Sequence, residues 1–183
     1  MTPHLPTVAR AALLGLATGS RSFSGLAAQV AVTPSLADRQ PERTLGGLGA
    51  KALVALVSAG ELVGDKLPTT PSRLAPPVLA SRLALAAGTA LLAARAQDEE
   101  GRLGPTAYEQ GPAETSLPPS ARPPAVPSSA YVAVPVAVAA SLASAFLGHA
   151  WRGWASQRLG HDWPGAVGED LVALTLAAVA TRP

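Results

Sequence analysis

The chain has 183 residues, of which 48% are hydrophobic and only 14% charged, with a formal net charge of +2. An ordinary globular domain carries about 25% charged residues, so there is little here to coat a water-facing surface. The absence of Cys excludes disulfides, thiolate nucleophiles and Cys-based zinc sites, and the small net charge, without a basic stripe, argues against nucleic acid.

Mean hydropathy is only +0.26 because Ala supplies much of the apolar count. Ala is a weak hydrophobe but the best helix former. With aromatics at 4%, a large soluble core would lack its bulky fillers. Composition therefore points to helices packed through small side chains, as in membranes.

Five helical segments follow in chain order. The first spans about Val8 to Val32 and is interrupted by Gly19-Ser20-Arg21-Ser22, which predicts a kink or a pair of half-helices. Arg10 precedes the apolar run, but Arg21 follows so soon that the run is read as part of the mature protein rather than a signal peptide. The second helix runs from about Leu48 to Lys66, closed by Pro68 and Pro71. The third follows Ser72 and Pro76-Pro77, which suit a cap and first turn, and reaches about Arg95.

Residues Gln97 to Ser129 carry Asp98-Glu99-Glu100 and six prolines from Pro112 to Pro127, a composition that predicts a mobile, solvated loop with no regular element. The fourth helix runs from about Ala130 to Leu159. The fifth follows Asp162-Trp163-Pro164 and runs to about Ala180, with Glu169 and Asp170 near its start. The expected fold is thus all-α: one multi-pass transmembrane helical bundle over residues 1–183, with about five helices, the first broken, and a Pro-rich loop at 97–129.

A span needs about 20 apolar residues, and only the fourth segment meets this cleanly, with no charge between Arg122 and Arg152. The others carry ionisable groups, so hydropathy alone also admits a soluble Ala-rich bundle. Lys and Arg divide too evenly between the two faces of a five-span topology for the positive-inside rule to orient it.

Several motifs occur together. Gly60-Glu61-Leu62-Val63-Gly64-Asp65-Lys66-Leu67-Pro68 is followed by Pro71-Ser72-Arg73, Pro76-Pro77 and Ala80-Ser81-Arg82. Gly15 to Ser22 lies upstream, and Ala145-Phe146-Leu147-Gly148, Arg152 and Glu169-Asp170 lie downstream. Together these resemble the bacterial membrane-protein family catalogued as domain of unknown function 4126, over nearly all of the chain outside the Pro-rich loop. The resemblance implies an integral, multi-pass location in the bacterial inner membrane, and no activity.

Charges inside a bilayer are costly and functional by default, so the candidate substrate- or ion-binding residues are Glu61, Asp65, Arg21, Arg73, Arg82, Glu169 and Asp170. Glu61 and Asp65 share one helix face, flanked at the same spacing by Gly60 and Gly64, which should admit a neighbouring backbone. The pair could serve a solute, or sit structurally near the headgroups and pair with Arg21, Arg73 or Arg82.

Arg21 could hold an anion at the helix break or lock the bundle through Glu61, Asp65, Glu169 or Asp170. Glu169 and Asp170 could favour the helix N-terminus or face a cavity, and lie about 100° apart on the wheel, so only one can face a given cavity. Trp151, Trp154 and Trp163, with His149 and Arg152, suit an interfacial belt.

Gly15-x-x-x-Gly19 suits helix packing. No metalloprotease, nucleotide-binding or nucleophile-elbow motif occurs, so neither enzyme activity nor a cofactor is expected. The expected partners are the lipid bilayer and a second copy through small-residue helix faces. The function expected is transport of an ion or small polar solute; the alternative is a structural or accessory membrane protein with internally paired charges.

Overall fold

A computed structural model describes residues 5–35, 40–64, 74–103, 126–161 and 163–182. Every regular element among them is helical, and there are seven rather than about five: α1 (Thr7–Ser20), α2 (Ser24–Val32), α3 (Glu42–Leu45), α4 (Leu48–Gly64), α5 (Pro76–Leu103), α6 (Ala130–Leu159) and α7 (Trp163–Ala180). Of these, only α3 was not anticipated; the division of the first helix is the pair of half-helices that its Gly19–Ser22 interruption predicts. The first helix splits in two at Arg21, whose backbone turns extended (φ −137, ψ 118), and a single turn forms in the connection before α4.

Among the described residues, three helices are long and apolar enough to cross a membrane: Pro76–Glu100, Ala130–Leu159 and Trp163–Ala180. The chain is thus an all-helical protein suited to a membrane.

Two sequence boundaries are corrected. The third helix does not stop near Arg95 but continues to Leu103. Gln, Glu and Arg are good helix formers, so charge there carries the helix onward rather than ending it. Gln97 donates from Nε2 to Leu5 O at 3.4 Å, tying this extension to the start of α1. Residues 104–125 of the Pro-rich segment lie outside the described residues. Glu169 and Asp170 also do not begin the last helix. It starts at Trp163, with Pro164 in the first turn where its missing N–H costs nothing, so the acidic residues lie nearly two turns inside.

The core is built from small residues. Ala11, Ala17, Ala86, Ala90, Ala133, Ala137, Ala145, Ala166, Ala173 and Ala177 are buried, while Leu53, Leu56, Phe146, Leu147, Leu171 and Val172 face outward. This inversion of the soluble pattern is what a lipid solvent permits, because hydrocarbon gives large apolar side chains no reason to turn inward. α1 is the centre: it packs on α6 most extensively, and on α5, α7 and α2. Gly15 and Gly19 make the α6 contact possible, since a methyl group at either would overlap the backbone of Ala137 or Ser141. The pairing of Gly15 with Ala137 and of Gly19 with Ser141 also shows that α1 and α6 run in the same direction.

α4 is different. It has no buried residue and packs on α2 and α3. Gly60 and Gly64, expected to admit a neighbouring backbone, have nothing within 4 Å of an added methyl among the described residues. Spacing supplies a flat face, but α4 lies at the edge of the described helices, none of which covers that face.

Candidate functional site: the charged break in the first helix

Breaking a helix exposes carbonyls at one new end and amides at the other, and each needs a partner where water is scarce. Here the two ends receive opposite charges from other helices. On the carbonyl side, Arg82 of α5 donates from Nη1 to Gly19 O at 2.6 Å and Ser20 O at 3.1 Å. On the amide side, Glu61 of α4 accepts from Ser22 N at 2.7 Å on Oε1 and from Phe23 N at 3.1 Å on Oε2. A cation at a helix C-terminus and an anion at a helix N-terminus both complement the peptide dipoles.

The two side chains also pair with one another, Arg82 Nη2 lying 3.6 Å from Glu61 Oε1. Local hydroxyls complete the break: Ser24 Oγ donates to Ala17 O at 2.8 Å and to Arg21 O at 2.9 Å.

Arg21, at the break itself, forms an ion pair with Asp170 of α7, one of the four partners its sequence position suggested. Arg21 and Arg82 are both almost wholly buried, at 2% and 3% exposed. Four of the seven candidate residues therefore converge on residues 19–24: Arg21, Glu61, Arg82 and Asp170. Asp65 and Arg73 lie outside the described residues.

Glu169 separates from its neighbour, as a 100° step on the helix requires. It is buried and lines a cleft of about 640 Å³ between α1, α6 and α7, with Leu16, Ser20, Ser144, Leu147 and Trp151 among the other lining residues. Because both acidic residues lie inside α7, the helix N-terminus does not explain them. α7 has no acidic residue in its first turn.

Ser144 was not singled out from sequence. Its hydroxyl sits 2.7 Å from Ser20 Oγ and donates to Leu16 O at 2.8 Å, crossing from α6 to α1 just before the break. The available signal was a pair of hydroxyls, Ser141 and Ser144, in the apolar stretch of α6 between Val132 and Gly148, where hydroxyl groups commonly bond across to a neighbour.

At the far end of the cleft, Trp151 donates from Nε1 to Gly165 O at 3.1 Å and stacks on Trp154 with centroids 5.2 Å apart. The Arg158 guanidinium lies 5.8 Å from the Trp154 ring centroid. Among the described residues, no three His, Cys, Asp or Glu side chains cluster as a metal site would need. The sequence matches no protein-family model, no curated protein and no solved structure.

Proposed function

We propose that this chain is a multi-pass protein of the bacterial inner membrane, of the kind its motifs resemble, and that its charged cluster serves structure: it holds a broken helix together inside an accessory membrane protein. The observation that carries this reading is the double engagement of Glu61. Both of its carboxylate oxygens are used on the amides of Ser22 and Phe23, and Arg82 beside it is used on the carbonyls of Gly19 and Ser20. A carboxylate and a guanidinium so committed are ill placed to take a solute without unmaking the break. Association of two copies through small-residue helix faces belongs to the same proposal.

Transport of an ion or small polar solute is the second reading. It is favoured by the break itself, because discontinuous helices with charged neighbours are common at transporter sites, and by the cleft that reaches Ser20 at the edge of the break.

Purified protein in proteoliposomes, screened for uptake of monovalent and divalent ions and small polar solutes, separates the two. The structural reading expects no flux above empty liposomes. Saturable flux that is lost in a folded Glu61→Gln variant would overturn it in favour of transport.

A further inference from the structure

We propose that the cleft between α1, α6 and α7 is a binding site for one acyl chain of an anionic phospholipid, with the headgroup held at the Trp151–Trp154–Arg158 end. The proposal rests on the membrane location but on neither functional reading above.

The walls are those of a chain site. Leu16, Leu147, Val172 and Leu176 line it, and Gly148 on α6 and Gly168 on α7 leave the space between the two helices. Leu147 and Val172 are also largely exposed, so the cleft opens onto the outer, lipid-facing surface. From Gly168 to Leu176 it follows α7 for about 12 Å, at 1.5 Å per residue. That length, with a volume of about 640 Å³, suits part of a fatty chain rather than a hydrated ion.

The polar end is specified by charge. Trp151 forms a wall of the cleft, Trp154 stacks on it, and Arg158 lies over Trp154. This ladder climbs α6 away from the apolar interior and ends in an exposed cation. Trp at headgroup depth is the usual interfacial anchor, and basic groups beside a gap between membrane helices select anionic lipid heads. Glu169 does not oppose this: it is buried and already engaged within the protein.

The test uses purified full-length protein in neutral detergent, titrated with dioleoyl-phosphatidylglycerol or dioleoyl-phosphatidylcholine. Retained lipid is counted by mass spectrometry of the intact protein, and helicity and elution profile confirm folding. The wild type is expected to retain one phosphatidylglycerol in preference to phosphatidylcholine.

In Gly168→Leu the added Cβ has Trp151 Cζ2 as its neighbour at 4.0 Å among the described residues, and both residues line the cleft, so the larger side chain takes up space there. Retention of both lipids should weaken at least about tenfold, since chain methylenes lose their place. Gly153→Leu, where nothing lies within 4 Å, should behave as wild type. Arg158→Gln, at an exposed position, should retain lipid but lose the preference for phosphatidylglycerol.

A wild type that retains no lipid, a folded Gly168→Leu that binds as wild type does, or an Arg158→Gln that keeps the preference would each overturn the proposal. Release of the protein by carbonate washing would instead strike at the membrane location itself, so the two failures are distinguishable.

Discussion

α1 and α4 both carry a Gly-x-x-x-Gly pair, Gly15 with Gly19 and Gly60 with Gly64, and the two pairs are used in opposite ways. Those of α1 face α6 so closely that no side chain fits between the backbones; those of α4 face open space among the described residues. α4 is instead attached by its carboxylate, through Glu61 to the amides at the break, and by Lys51 Nζ, which donates to Ala31 O at 3.3 Å. One helix is held by close packing along its length, the other by a looser contact with α2 and α3 and a few polar bonds. The spacing of small residues licenses close approach, and burial decides whether it occurs.

The largest effect should come from closing the α1–α6 gap. Gly19→Leu forces a side chain onto the Ser141 backbone, which cannot move aside as a flexible side chain would. Overpacking typically costs about 1–3 kcal/mol and more in rare cases; a clash with backbone, as here, belongs with the larger costs, and little folded protein should survive purification. A monodisperse Gly19→Leu protein with wild-type thermal stability would show that the contact is not what holds α1.

Next in size is the anchor of α4. Glu61→Gln leaves Arg82 without its carboxylate, and removing one partner of a buried pair costs about 3–5 kcal/mol. The side chain of Glu61 is 17% exposed, so the lower end is expected. Replacing Glu61 and Arg82 together should cost less than the sum of the single losses, with a coupling of about 1–3 kcal/mol. Additive losses in a double-mutant cycle on thermal stability would mean that each residue serves the break alone and the pair contributes nothing.

The smallest effect sharpens the contrast from the other side. Gly60→Ala adds a methyl where there is room and removes a poor helix former, so stability should rise by about 0.5–1 kcal/mol. A clear loss of stability would reveal a partner on that face, and a change in oligomeric state would identify it as a second copy.

The sequence by itself determined the helical class, the limits of α6, and the place where the first helix fails. Uncharged Ala-rich runs have one economical conformation in a membrane solvent, and Gly19-Ser20-Arg21-Ser22 interrupts such a run with residues that weaken a helix. It also made pairing of Arg21 necessary, because a buried guanidinium must find a partner. It did not determine which partner. Arg82 lies 21 positions from Glu61, and Arg21 lies 149 from Asp170; only the packing of α4, α5 and α7 around the break between α1 and α2 selects these pairs from the available carboxylates. The same holds for the two glycine pairs and for the cleft beside Ser20 and Glu169. Spacing along a helix is local and can be read from the chain, but the neighbour that a face meets is set by tertiary structure, through contacts between residues far apart in sequence.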